Sequence, residues 1–162
     1  MREADLSLVA RAFADQGWER AERPRQRFWP EQQSGKRVVL IAEYNGEFAG
    51  CLTVLWQAED SEFLSAGIPE IRNLSVPIKF RCMGVGGALM DEAERRIGER
   101  AKVAGLRVGL TADYGAAQVM YAKRGYVPDG RGISQREQLP RNGDLITIDN
   151  DLVLTLTKRL RE

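Results

Sequence analysis

Histidine is absent from this 162-residue chain. That absence removes Ser-His-Asp and Cys-His nucleophilic machinery together with most zinc sites, whose ligand sets lean on imidazole. Cysteine occurs only as Cys51 and Cys82, without metal-ligand spacing and without the density of a disulfide scaffold. An excess of either charge is also missing, since 24 Lys and Arg face 23 Asp and Glu. Electrostatics therefore point to neither nucleic acid nor an anionic membrane. No apolar run approaches the ~20 residues of a membrane span, and the charged start Met1-Arg2-Glu3-Ala4-Asp5 lacks the apolar core of a signal peptide. These properties predict a cytoplasmic protein with reduced thiols and no metal. An enzyme of this composition must take its general base from a carboxylate, a tyrosine, a water chain or the substrate. The length predicts one domain over residues 1–162, with a core of useful size.

What the chain does have is a glycine-rich turn, Arg81-Cys82-Met83-Gly84-Val85-Gly86-Gly87-Ala88. It follows a strand-like run from Ile71 to Val76 and leads into a helix predicted from near Gly84 to Lys102, in which Val85, Leu89, Ala93, Ile97 and Ala101 recur every fourth residue. A strand, a glycine turn and a helix start aim free backbone N–H groups and the positive end of the helix dipole at one point, which suits a phosphate. Glycine lets the backbone approach a bulky anion, and Arg81 adds a charged donor. The plain alternative is an ordinary tight turn. A Walker A loop is excluded because Gly86-Gly87-Ala88 stands where Gly-Lys-Ser/Thr is needed. A dinucleotide fingerprint fails at Leu89, where a small residue is required.

The flanking elements follow from periodicity and turn chemistry. Leu6, Val9, Ala10 and Phe13 predict an amphipathic first helix that stops at Gly17, and Arg20 to Gln33 predicts a second, irregular one. Asn45-Gly46 between Lys36–Tyr44 and Glu47–Trp56 predicts a hairpin. Gln57 to Gly67 reads as loop and Glu70 to Val76 as strand. Gly105 is expected to close the long helix, ahead of a strand carrying Leu106, Val108 and Leu110. A short helix with Ala117, Met120, Tyr121 and Arg124 on one face ends at Gly125. Val127 to Asp144 is expected to be a long functional loop, and Leu145–Ile148 and Leu152–Thr157 a closing pair of strands. This order predicts an α/β fold, a mixed sheet with helices on both faces.

Ile71-Arg72-Asn73-Leu74-Ser75-Val76, Arg81 to Gly86, and Ala117 to Tyr126 together resemble the GNAT superfamily of acyl-CoA-dependent N-acetyltransferases. The stretch from Tyr114 through Val127-Pro128-Asp129-Gly130 also resembles an uncharacterised bacterial subgroup of that superfamily. The resemblance implies a mostly antiparallel sheet, with acetyl-CoA as cosubstrate and its diphosphate at residues 81–88. It places the pantetheine arm along Leu74, Ser75 and Val76, where the N–H of Val76 or a neighbour polarises the thioester carbonyl. Ala117 lies on the same wall. At Tyr114 many relatives carry an asparagine that bonds the pantetheine, so a tyrosine hydroxyl or a backbone group stands in for it here. Tyr121 takes the place of the acid that protonates the leaving thiolate, its alternative being a packed core tyrosine. Glu70 stands where some relatives place a general base, its alternative being a solvated glutamate.

Trp18, Phe28, Trp29 and Trp56 are candidates for an aromatic acceptor wall, with core packing as the alternative for each. Glu31, Glu59, Asp60 and Glu62 are candidates for attracting a cationic amine. Lys79, Lys123 and Arg124 are candidates for the other charges of CoA. The expected partners are a small-molecule or peptide amine and, as an open alternative, a second copy in a homodimer. The second functional class is a non-catalytic acyl-CoA sensor or partner-docking module.

Overall fold

The computed structural model describes residues 1–3, 5–15 and 28–161. The first helix, α1, spans Asp5–Ala14 and buries Val9 and Phe13, as its periodicity requires. Gly17, Trp18 and the segment 20–27 lie outside the described residues. Helix α2 is Phe28–Gln33. The hairpin forms as expected from β1, Arg37–Tyr44, and β2, Glu47–Leu55. Asn45 and Gly46 both take positive φ, 50° and 80°, as a two-residue turn of this kind demands.

Gln57 to Gly67 is not loop throughout, because a one-turn helix, α3 (Ser61–Ser65), interrupts it. Asp60 supplies the N-cap by accepting the Phe63 N–H at 3.0 Å, and the buried Phe63 side chain anchors the turn. Strand β3 runs Glu70–Ser75, and helix α4 runs Val85–Gly98, four residues short of the predicted end. Strand β4 is Val103–Gly109, helix α5 Gly115–Lys123, β5 Val127–Gln135 and β6 Leu152–Arg159.

Gly105 lies inside β4 instead of capping the helix. A Cβ there would sit 2.4 to 2.9 Å from three atoms of the Phe63 ring, so the glycine makes room for the α3 anchor. Gly105→Ala is therefore expected to cost about 1–3 kcal/mol by overpacking, read from denaturant unfolding. Much of that loss should vanish in a Phe63→Ala background, because the two changes share one contact.

Two further expectations fail at the C-terminal end. Val127–Gln135 is a strand and not part of a long loop, and Leu145–Ile148 is irregular, with Leu145 and Ile148 exposed. The Pro and Gly content misled over Val127–Gln135 because β5 contains a wide bulge. Pro128 pairs with Leu156 and Ile133 with Leu154, so residues 129–132 arch out with Gly130 and Gly132 at φ 92° and 83°. Pro128 is tolerated because β5 is an edge strand.

The six strands form one sheet in the order β1-β2-β3-β4-β6-β5. Among the described strands only the β3–β4 pairing is parallel. The amphipathic face of α4 covers one side, where Leu89, Met90, Ala93 and Ile97 pack with Leu52, Val54, Ala104 and Leu106. On the opposite side Val9 and Phe13 of α1 pack against Cys51, and Phe63 covers Gly105. The mixed, mostly antiparallel sheet with helices on both faces agrees with the sequence reading.

Candidate functional site

The parallel β3–β4 ladder is short. Glu70 pairs with Gly105 and Ile71 with Leu106, after which the strands part. The cause lies in β3 itself. Ser75 pairs with Cys51 and Arg72 with Thr53, which leaves one extra residue in β3. Asn73 absorbs it at φ 53°, a left-handed conformation that asparagine tolerates better than most residues. The bulge keeps β3 attached to β2 and turns its last residues away from β4. A cleft of about 390 Å³ opens in the gap, lined on one side by Glu70 to Ser75 and on the other by Arg107, Val108, Gly109, Tyr114, Ala117 and Tyr121.

At the Ser75 end the chain makes a short turn, Ile78–Phe80, and enters α4. Gly84 occupies the N-cap at φ 82°, a conformation closed to most side chains, and the preceding Cys82 is also left-handed at φ 60°. The first helical bond is Ala88 N–H to the Gly84 carbonyl at 3.0 Å. The N–H groups of Val85, Gly86 and Gly87 precede it and stand in the positive end of the helix dipole. A Cβ at Gly84 or Gly87 would meet nothing within 4 Å, and one at Gly86 would only touch Val76 and Met120 at 3.8 Å. Protein packing thus does not account for these glycines. Arg81 donates from Nε to the Val76 carbonyl at 3.3 Å, which fixes its stem across the end of β3. Cys82 and Met83 are exposed beside it, whereas Val85 turns inward to the core.

Tyr121 reaches the cleft from α5, with its ring 5.9 Å from that of Tyr126 in an edge contact. Burial pushes its phenol up to about 12, so the hydroxyl stays protonated at working pH. Tyr114 lies over Gly109, where a Cβ would come within 2.4 Å of the ring, and its hydroxyl donates to Asn150 Oδ1 at 3.4 Å. Gln118 Nε2 donates to the Gly109 carbonyl at 2.7 Å, joining α5 to the end of β4.

Glu70 is fully buried, and so not a solvated glutamate. Its Oε2 accepts the N–H groups of Glu59 and Asp60 at 3.0 and 3.4 Å, and its Oε1 accepts Arg107 Nε at 2.9 Å. Arg72 Nε lies 3.7 Å from the same oxygen. The carboxylate therefore ties β3, β4 and the start of α3 together at the point where the strands part.

Phe28, Trp29 and Trp56 lie apart from this cleft. Phe28 is buried under the Arg37 guanidinium, Trp29 is half-buried at the start of α2, and Trp56 carries the Arg100 guanidinium at 4.2 Å. Among the acidic candidates, Glu31 pairs with Arg37, Glu59 with Arg72, and Asp60 with Arg131 at 3.2 Å. Lys79 pairs with Glu47, and Arg124 is held by Glu94 and Asp91 at 2.9 and 2.6 Å. Those charges are committed to protein partners. Arg107 and Asn150 also line the cleft and were not among the sequence candidates. Arg107 had left a signal, a lone charge on the alternate face of the apolar strand Leu106-Arg107-Val108.

A sequence comparison with curated proteins finds no match. Solved structures with the same fold include a GNAT-family protein from Desulfovibrio desulfuricans, at 13% identity and TM-score 0.74 over 99% of this chain and 95% of that one. A ribosomal-protein-alanine N-acetyltransferase from Brucella melitensis aligns at 20% identity and TM-score 0.69 over 98% and 96%. A GNAT-family acetyltransferase from Elizabethkingia anophelis with acetyl-CoA bound aligns at 21% identity and TM-score 0.57 over 82% of each chain. The sequence itself matches the acetyltransferase (GNAT) domain across residues 35–128, which take in the hairpin, the forked strands, the glycine turn and the helix of Tyr121. The chain therefore belongs to the GNAT family of acetyltransferases.

Proposed function

We propose that this protein transfers an acetyl group from acetyl-CoA to the primary amine of a small molecule or peptide, by direct attack in a ternary complex within one domain over residues 1–162. The observation that carries the reading is the cleft where β3 and β4 part. Leu74 and Ser75 form one wall along the β3 edge that β4 leaves unpaired, the Tyr121 phenol reaches in from α5, and the chain runs on from Ser75 to the start of α4, whose first N–H groups precede its first helical bond.

In this reading residues 81–88 hold the diphosphate. Gly84, Gly86 and Gly87 leave the space that a Cβ would take, and Arg81 supplies charge. The free edge of β3 pairs with the amide-bearing arm of the cosubstrate, and a backbone N–H near Val76 stabilises the oxyanion as the amine attacks. Tyr114 and Ala117 complete the wall, with the Tyr114–Asn150 bond in place of the asparagine contact of relatives. Tyr121 gives its proton to the departing thiolate. The donors around Glu70 suit an anchor that fixes the fork, so the ammonium proton leaves through water in the cleft that Glu70 helps to line.

Incubation with acetyl-CoA and a panel of primary amines, followed by free thiol, tests the proposal. Amine-dependent thiol release is expected. Tight acetyl-CoA binding with no release across the panel would favour the sensor reading instead.

A further inference from the structure

The charged groups of the cleft are unevenly matched. Glu70 is satisfied by Arg107 and backbone N–H groups, and Arg72 is engaged by Glu59. Arg136 is held by Asp149 at 2.6 Å and Asp151 at 3.1 Å. Arg107 differs from these arginines. Its side chain is only 17% exposed, yet its one bond runs from Nε to Glu70 at 2.9 Å. Nη1 and Nη2 have no acceptor among the described residues, and Arg107 lines the cleft. A guanidinium presents five N–H donors in a planar fork, and an unused edge in a half-buried site matches an oxyanion.

Strand register places that edge. Arg107 pairs with Thr155 on β6, and Gly109 two residues on pairs with Val153, which also pairs with Ser134 of β5. These positions share one face of the sheet, opposite the α4 face of Leu106 and Val108. The anion cannot be the diphosphate of the cosubstrate. The parallel register puts Arg107 level with Arg72, and its side chain turns back to Glu70, whereas the α4 N-terminus follows Val76, about 13 Å further along an extended strand at ~3.3 Å per residue.

We infer that the acceptor is a small primary amine carrying its own carboxylate, an amino acid, and that Arg107 reads that carboxylate through its Nη edge. The inference rests on the transferase reading above and names its substrate class. A carboxylate fits better than a phosphate because Glu137, which lines the same cleft without an ion pair among the described residues, disfavours a dianion and suits the ammonium end of a zwitterion.

Rates of thiol release with alanine, alaninamide and 2-aminoethyl phosphate provide the test. Alanine should exceed alaninamide in kcat/KM by at least about tenfold, the worth of a charge-assisted bidentate contact. Arg107→Gln should bring the two close to parity, and Arg107→Lys should keep part of the preference. The ratio of two substrates on one variant does not depend on the fraction folded. Equal or faster turnover of alaninamide, or an unchanged ratio in Arg107→Gln, overturns the inference, and preference for the phosphate overturns the carboxylate assignment. Calorimetric titration of the acetyl-CoA complex with alanine and alaninamide makes the same comparison without turnover. Selective alanine binding with no thiol release supports the inference and defeats the transfer reading, whereas no selectivity defeats the inference alone.

Discussion

Replacing Gly86 with leucine is expected to weaken acetyl-CoA binding by about 100-fold or more, some 2.7 kcal/mol, while the thermal midpoint holds or rises. Gly86 lies in the first turn of α4 with an ordinary helical backbone, and its Cβ position has room at 3.8 Å from Met120 and Val76. Leucine is a better helix former than glycine by roughly 0.5–1 kcal/mol, so neither the backbone nor a contact at the Cβ position asks for glycine here. The remaining demand is access, because a side chain at this position projects into the gap between the end of β3 and α5. Calorimetry with unchanged affinity would remove the diphosphate from this turn.

Tyr121→Phe is expected to lower kcat by on the order of a hundredfold, within the usual worth of a general acid, with acetyl-CoA affinity unchanged. The hydroxyl makes no protein hydrogen bond among the described residues, and the ring stays packed against Tyr126. Its loss should therefore cost little stability, and a fall in kcat and kcat/KM together would mark an interaction made in the transition state. Burial holds the phenol near 12, so Tyr121 ionisation should not shape the rate profile through neutral pH. The sign of the linked stability follows from the raised value. Its contribution is fully present below the ordinary phenol value of 10.0 and is lost as pH climbs towards 12. Normal turnover in Tyr121→Phe, with lowered stability, would make the residue a packing group.

The parts of this fold that were legible in sequence are those governed by local rules. Asn45-Gly46 set the hairpin, the four-residue recurrence from Val85 set α4, and the three glycines after Cys82 marked the turn into that helix. The misreadings arose where a tertiary contact outweighed a local signal. Gly105 resembled a helix cap, but its lack of a side chain serves the Phe63 ring from a distant helix. The glycines of residues 129–132 looked like loop, yet β6 holds the chain on either side of the bulge as a strand. The fork between β3 and β4 depends on the bulge at Asn73, and an asparagine in a strand is a weak sign unless the pairing register is known.

The candidate site divides in the same way. Residues 74–76, 81–88, Tyr114, Ala117 and Tyr121 could be proposed from the sequence because they follow one another along consecutive elements. The proposed acceptor end could not, since Arg107, Ser134 and Asn150 come from separate elements that converge only after β4, β6 and β5 have paired. Phe28, Trp29 and Trp56 drew attention by size, whereas in the fold Phe28 and Trp56 pack beneath arginines and none of the three lines the cleft.

The central claim, that the fork and the glycine turn form one acetyl-CoA site, is tested most directly by titrating acetyl-CoA while following backbone amide resonances. Saturable shifts concentrated at Leu74–Val76 and Met83–Ala88, with smaller ones at Tyr114 to Tyr121, are the predicted result. Shifts confined to other elements, or none at millimolar acetyl-CoA, would contradict it.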